Sequence, residues 1–324
     1  MSSIKTKIFT CILSIVMLVS LLPTTTVFAA ELDNSNIKIE NAVVTASGKC
    51  GKTLNWKIEN HNLIISGKGK MYNYKAETAP WYKYRNNIEK ITINNGITHI
   101  GNYAFAWVGV NYIPLGNNQY IKEYGVAILS ISNAKTLKTI GSHAFDGALN
   151  NCDLVKLPNK VTSIGSYAFA NCDLNISLPT SLKTIGASAF RNSSFNTYGR
   201  FYIPKKVTSI GNYAFYNCRH LNGIYGGAGL KTIGTRAFSK NNDLKSFRIS
   251  SKKLKKIGKF AFSECKKLTV LNIPNTTALT RKGTIGSLEG SSIKTIKVKS
   301  YKVKYYKKYF QKSWSGRKVT VKKA

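Results

Sequence analysis

Apolar residues recur along this chain in two linked patterns, and their return at a nearly constant interval predicts its architecture. The first is a box, Ile-Gly-x-x-Ala-Phe. It begins at Ile100, Ile140, Ile164, Ile185, Ile210, Ile233 and Ile257 and closes at Phe105, Phe145, Phe169, Phe190, Phe215, Phe238 and Phe262. Successive isoleucines lie 40, 24, 21, 25, 23 and 24 residues apart. Apart from the first, these are the intervals of stacked supersecondary units, each too small to bury its own apolar face. The second pattern precedes the box: two apolar residues separated by one, often followed by Pro. Val155, Leu157 and Pro158 precede Ile164; Ile176, Leu178 and Pro179 precede Ile185; Phe201, Ile203 and Pro204 precede Ile210. Alternation of period two predicts a short strand, which Pro ends because it brings no N–H to the ladder.

The expected fold is therefore mainly β: a solenoid of leucine-rich type with one short strand and a short helical turn per repeat. The box Gly permits either a positive φ or a close backbone approach. Ala leaves room at the wall and Phe fills the centre, so the phenyl rings should form a continuous internal column. Cys172, Cys218 and Cys265 each follow a box Phe by three residues, which places them in the same buried interior as packing residues. Rungs stack about 4.8 Å apart, so Cys152 and Cys172, one rung apart, are the only pair placed to bridge. Near the C-terminus Leu268, Leu271 and Ile273 reproduce leucine-rich repeat spacing.

The run from Leu157 to Cys172, nearly repeated from Ile203 to Cys218, reads Leu-Pro-x-x-Val-Thr-Ser-Ile-Gly-x-Tyr-Ala-Phe-x-Asn-Cys. It resembles the BspA-like leucine-rich repeat proteins of bacterial surfaces. So do the segments Gly48 to Trp56, Leu63 to Gly69 and Ala79 to Tyr82, and the resemblance covers about residues 48–324. It implies a secreted or surface-attached binding protein, in some members an adhesin for host matrix proteins or other cells.

The ends read differently from the middle. Residues 1–30 carry Lys5 and Lys7, an apolar run from Ile8 to Leu22 and a small-residue close at Ala29 and Ala30, the layout of a secretory signal peptide. The run is shorter than the ~20 residues of a membrane span, so no span is expected in the mature chain. Residues 31–47 read as a leader or linker. Residues 48–87 read as an N-terminal β cap, because Leu54, Trp56 and Ile58 alternate and Leu63 to Ser66 returns after a turn at Glu59 to Asn62. Residues 88–290 hold the repeats, the last box having decayed to Ile285-Gly286-Ser287-Leu288-Glu289-Gly290. Residues 291–324 read as a basic strand-helix-strand cap: strand at Ile293 to Val298, helical spacing over Val303 to Phe310, strand at Lys318 to Val321.

Charge narrows the functional classes. The chain carries 49 Lys and Arg against 13 Asp and Glu, and without residues 1–30 the balance is still +34. Such an excess attracts anionic polymers at long range and weakens with salt. It is densest after Glu289, where twelve basic residues and no carboxylate remain. Lys302, Lys304, Lys307, Lys308, Lys312, Arg317 and Lys318 are the candidate polyanion-binding residues, with an anionic cell-envelope polymer, heparin-like glycan or extracellular DNA as ligands. Tyrosines among these lysines also suit nucleic acid, but export makes that an incidental ligand.

Two further surfaces are candidates for a host matrix or cell-surface protein or glycan. The first box interval exceeds the norm by 16 residues, and the surplus, between Ala106 and Gly125, holds Trp107, Tyr112, Tyr120 and Tyr124. Loops that project from a regular array often carry specificity, although an irregular rung would use aromatics as filler. Two residues before the box Ile stand Lys138, Lys183, Lys231 and Lys255, alternating with Thr98, Thr162 and Thr208. Equivalent positions in a solenoid line up, so these lysines should form a basic stripe; a bare edge that discourages strand pairing is the plainer reading. An enzyme is not expected: no acidic pair has useful spacing, His61, His99, His143 and His220 occupy unrelated repeat positions, and no nucleophile, metalloprotease or phosphate-loop motif appears. No cofactor or metal is expected.

Overall fold

The structure, a computed structural model, describes residues 45–116, 119–124, 126–195, 200–280, 282–310 and 319–324; the signal peptide reading lies outside them. Each repeat is one rung of a coil, held to its neighbours along three sides. On one side Gly69–Lys70, Ile97–Ile100, Thr139–Ile140, Ser163–Ile164, Thr184–Ile185, Ser209–Ile210, Thr232–Ile233 and Lys256–Ile257 form an eight-stranded sheet, parallel throughout. A second side starts with Ala46–Lys49, Leu54–Glu59 and Asn62–Gly67, which pair antiparallel, and continues in parallel through Lys90–Ile93 and Ile128–Ser130. It goes on through Cys152–Lys156, Asp173–Ser177 and Ser194–Phe195. Its last segment is six parallel strands, Phe201–Ile203, Gly223–Gly226, Ser246–Ile249, Val270–Asn272, Thr295–Val298 and Thr320–Lys323.

The third side corrects the expected helical turn. The box is a chain of β-turns: Ala104 N–H donates to Gly101 C=O, Ala106 N–H to Tyr103 C=O and Val108 N–H to Phe105 C=O. A helix is impossible there because the fourth box residue is left-handed, as at Tyr103 (φ 54), Tyr167 (φ 57) and Tyr213 (φ 58). Alternate N–H groups point to the next rung instead, Phe105 to Ala144 and Phe145 to Ala168, each at 2.8 Å. The repeat thus holds two strands where the sequence predicted one. The second strand, two residues such as Ser163–Ile164, is too short to show alternation.

The box glycines choose the second of their two options. None has a positive φ, but a Cβ on Gly165 would lie 2.6 Å from the Gly141 carbonyl carbon and one on Gly186 2.6 Å from that of Gly165. The rungs meet there backbone to backbone.

The predicted ring column is present. Phe105, Phe145, Phe169, Phe190, Phe215, Phe238 and Phe262 stack with centroids 5.1–5.8 Å apart and planes within 20°. Trp81 stacks on Phe105 at 5.4 Å and donates its indole N–H to the Ala104 carbonyl at 2.7 Å, so it covers the first ring. Trp56 and Tyr74 pack edge-on against Trp81.

The cysteines do more than fill space. None of the five described cysteines is in a disulfide and all are buried, so Cys152 and Cys172 do not form the bridge considered from their spacing. Four of them are turned to a backbone carbonyl: Cys152 to Val126, Cys172 to Phe145, Cys218 to Phe190 and Cys265 to Phe238, at 2.9–3.1 Å. Ser193 and Asn241 take the same row and donate to Phe169 and Phe215. This row satisfies the carbonyl that each phenylalanine leaves inside the coil.

At the N-terminal end the Leu54–Glu59 and Asn62–Gly67 hairpin turns through Asn60 and His61, both with positive φ (47° and 59°). Its outer partner Ala46–Lys49 begins inside the stretch read as a leader. At the other end the last box is one residue out of the predicted frame. Thr284 is buried at 1% exposure while Ile285 is 59% exposed, because Ile257 donates its N–H to Gly283. Beyond it, Thr295–Val298 leads to a helix at Val303–Phe310 and a final strand at Thr320–Lys323. Tyr306 anchors the helix, buried with its hydroxyl on the Thr276 carbonyl.

Candidate functional site

The lysine stripe is built by the backbone. Lys138 N–H donates to Thr98 C=O, Thr162 to Lys138, Lys183 to Thr162, Thr208 to Lys183, Lys231 to Thr208 and Lys255 to Lys231, at 2.8–2.9 Å. These bonds put Thr98, Lys138, Thr162, Lys183, Thr208, Lys231 and Lys255 in one row, at the entry to the eight-stranded sheet. All four lysines are exposed, and none is ion-paired among the described residues. The next row along each rung is His99, Thr139, Ser163, Thr184, Ser209, Thr232 and Lys256. Its polar groups link across rungs, His99 Nδ1 to Thr139 Oγ1 at 2.7 Å and Thr184 Oγ1 to Ser163 Oγ at 3.0 Å. Burial, then the nearby Lys70 charge, hold the His99 imidazole pKa below its usual value.

The first-interval surplus is a β-hairpin, Val110–Gly116 against Gln119–Tyr124, forming a two-stranded sheet of its own. Its register sets position 112 opposite 122, 114 opposite 120 and 110 opposite 124. Tyr112, Tyr120 and Tyr124 therefore occupy register positions on one face of the ribbon. Trp107 is not with them. It belongs to the turn side of the coil, donates its N–H to the Asp146 carbonyl at 2.8 Å, and lays its ring where a Gly147 side chain would be. In the C-terminal segment Lys304 and Lys307 are exposed and one helical turn apart, and Lys302 lies over the Tyr305 ring at 4.7 Å. Lys308 falls in the same helix. Lys312, Arg317 and Lys318 lie outside the described residues.

A third surface carries residues that the sequence reading did not single out. On the six-stranded segment, pairing places Tyr202, Tyr225, Arg248, Asn272, Lys297 and Lys322 in one outward row. Tyr202 and Tyr225 lie 5.7 Å apart, with the Arg200 guanidinium 5.6 Å over Tyr225. A shallow groove of about 240 Å³ lies on this row between Tyr225 and Asn272. The only signal in the sequence is the outward half of each alternation, where no residue type repeats.

The polar groups of the turn side are mostly consumed by the coil. Asn217 donates to Asn192, Asn192 to Asn171 and Asn171 to Asp146, whose other oxygen meets His143 Nδ1 at 2.8 Å. These asparagines hold left-handed positions (φ 54–58°), which asparagine tolerates. Burial pushes the Cys172 and Cys265 thiols up to about 12, so they are protonated, unreactive groups at neutral pH. Among the described residues no three His, Cys, Asp or Glu side chains cluster as metal ligands, and no helix is long and apolar enough to cross a membrane. What these surfaces offer chemically is charge, hydroxyl and amide hydrogen bonding, and aromatic faces, in fixed rows.

A coil with a ring-stacked core and ordered rows outside belongs to the leucine-rich repeat solenoids, a class of partner-binding scaffolds. The BspA type leucine-rich repeat region matches residues 79–196 and 197–316, in six copies, and the chain belongs to that family. Among solved structures it is similar to a leucine-rich repeat protein from Bacteroides ovatus, at 20% identity and a TM-score of 0.43 over 78% of this chain and 71% of that one. A leucine-rich repeat protein from Eubacterium ventriosum gives 18% and 0.32 over 78% and 84%. The pneumococcal vaccine antigen PcpA gives 14% and 0.31 over 80% and 82%. A search of curated proteins finds no match.

Proposed function

We propose that this chain is an exported, non-enzymatic adhesion protein that contacts host proteins, glycans or other cells through the outside of its solenoid. The observation that carries the reading is the row from Thr98 to Lys255: seven consecutive rungs set polar side chains in line, the threonines half-buried and the lysines exposed, with the four lysines unpaired among the described residues. The core residues beneath build the array, which leaves the surface free to recognise a partner. Family membership supports a binding role, and the apolar run at Ile8 to Leu22 supports export. The segments 48–87 and 291–324 close the two ends of the coil in this reading.

The hairpin is the candidate for specificity, with Tyr112, Tyr120 and Tyr124 on one face and Trp107 at its base. The test is capture of host matrix and envelope components by the chain, repeated with residues 110–124 replaced by a short turn. Loss of capture with unchanged thermal unfolding is expected; equal capture by both proteins removes the hairpin from the function. A second reading, electrostatic attachment to an anionic envelope polymer, is favoured by the twelve basic residues and absent carboxylates after Glu289. Elution from cell walls at moderate salt supports it, and retention through concentrated salt excludes it.

A further inference from the structure

The six-stranded segment differs from the rest of the surface in being basic, aromatic and periodic at once. Its strands contain no Asp or Glu. Its outward row offers one side chain per strand, about 4.8 Å apart: an aromatic pair, Tyr202 and Tyr225, then Arg248, Asn272, Lys297 and Lys322. Tyr202 is 57% exposed. Arg248, Lys297 and Lys322 are exposed and form no ion pair among the described residues. The groove between Tyr225 and Asn272 has Lys245 and Arg248 in its wall.

We propose that this face binds an acidic polysaccharide, a chain of sugars bearing carboxylate or sulfate groups, laid across the strands along the coil axis. The inference rests on the adhesion reading and names a ligand class and surface for it. Cationic side chains set in one line, on successive rungs, fit a ligand that carries its anionic groups along a line. The paired tyrosines present flat amphipathic faces to the C–H side of a sugar ring. Arg248, Lys297 and Lys322 meet successive anionic groups, Arg248 with a planar fork that matches a carboxylate. Single-stranded nucleic acid fits less well, because it stacks successive bases along its whole track and the aromatic row stops after two rungs.

The test uses the purified chain, titrated at physiological salt with heparin, with polyglutamate, with oligo-dT and with neutral dextran. Three double variants are compared: Tyr202→Ala with Tyr225→Ala, Arg248→Gln with Lys297→Gln, and, as an equal charge change on the exposed N-terminal cap, Lys49→Gln with Lys52→Gln. Heparin affinity should fall about tenfold or more in the first two and less than about threefold in the third, as expected when charges that touch the ligand are removed. Wild-type binding to polyglutamate and oligo-dT should be weaker and indifferent to the tyrosine change. Equal losses in all three variants, no effect of the tyrosine pair, or tighter binding of oligo-dT or polyglutamate each overturns the proposal. If the variants leave heparin binding untouched while the chain still captures matrix components, this inference fails alone; if it captures nothing, the adhesion reading fails with it.

Discussion

Replacing Phe215 by Ala tests the physical basis of the fold in mid-array. The side chain is fully buried between Phe190 at 5.1 Å and Phe238 at 5.3 Å, and Phe201 meets it edge-on at 5.4 Å. Truncating a buried Phe costs roughly 3–5 kcal/mol, the value depending on how far the site collapses. Collapse is restricted here, because Phe190 donates its N–H to Ala214 and Phe215 its N–H to Ala237, both at 2.8 Å, holding the rungs apart whatever lies between them. The loss should therefore sit in the upper half of the range, about 4–5 kcal/mol, with the stacked and edge-on pairs, about 0.5–1.5 kcal/mol each, contained in it. Urea denaturation followed by circular dichroism reads the change, and Phe215→Leu, which keeps most of the volume, should lose much less. Because repeat arrays are coupled mainly to nearest neighbours, the transition should also broaden or split as the two halves uncouple. A loss below about 1 kcal/mol with a sharp single transition would mean that the ring column is not what holds the rungs together.

Gly186→Ala should destabilise by about 1–3 kcal/mol or more, read as a fall in melting temperature, because its Cβ meets the immovable Gly165 backbone at 2.6 Å; an unchanged melting point would deny the close approach. Asn241→Leu removes donors to Phe215 and Phe238 and the acceptor for the Cys218 N–H, so a loss of about 3 kcal/mol or more is expected. Cys218→Ser should cost within about 1 kcal/mol, since Ser193 already does that work one rung earlier in the row; the two denaturation curves decide both. The thiols should resist alkylation at pH 8 in the native chain and react once unfolded, because burial holds Cys172 and Cys265 near pKa 12; rapid native labelling contradicts their placement. His99 has a folded pKa below its reference of 6.5, so the unfolded chain takes the proton first, and stability present above pH 6.5 is lost as pH falls through the folded pKa. His99→Gln should flatten that part of the pH–stability curve, and an unchanged slope would assign it elsewhere.

The interior was legible because every rung asks the same of its inward positions. Seven box phenylalanines at one register can only stack, and the turn at Glu59 to Asn62 and the helical spacing from Val303 appear in the structure where the pattern put them. What the pattern concealed came from elements too short to show a period. A two-residue strand such as Thr184–Ile185 leaves no alternation to read, and the left-handed fourth box residue, Tyr103 or His143 or Ser188, shares no chemistry that marks it. The frame slip at Thr284 was hidden because Ile285-Gly286 imitates a box, while the buried position belongs to the residue before it. Trp81 stood in a motif attributed to the family, yet its place on top of Phe105 depends on a contact across 24 residues of sequence. The row from Tyr202 to Lys322 escaped for the opposite reason to the core: its members share a register and no residue type.

That contrast explains how one chain can hold a fixed fold and still present a specific surface. The box spacing varies from 21 to 25 residues between Ile164 and Ile210, yet Ser163, Thr184 and Ser209 remain in exact ladder register. The extra residues are absorbed outside the ladders, so rung geometry is set by backbone hydrogen bonds and not by repeat length. Each outward position can then change without disturbing the Ile, Ala and Phe beneath it, and a row is assembled one rung at a time. Binding along such a row sums many modest contacts, so a long ligand gains affinity with each rung it crosses. Salt weakens the sum in proportion to the charged rungs engaged. For a cationic array of this kind, affinity should therefore rise with ligand length up to the span of the row and no further, which separates recognition along the coil from diffuse attraction to its net charge.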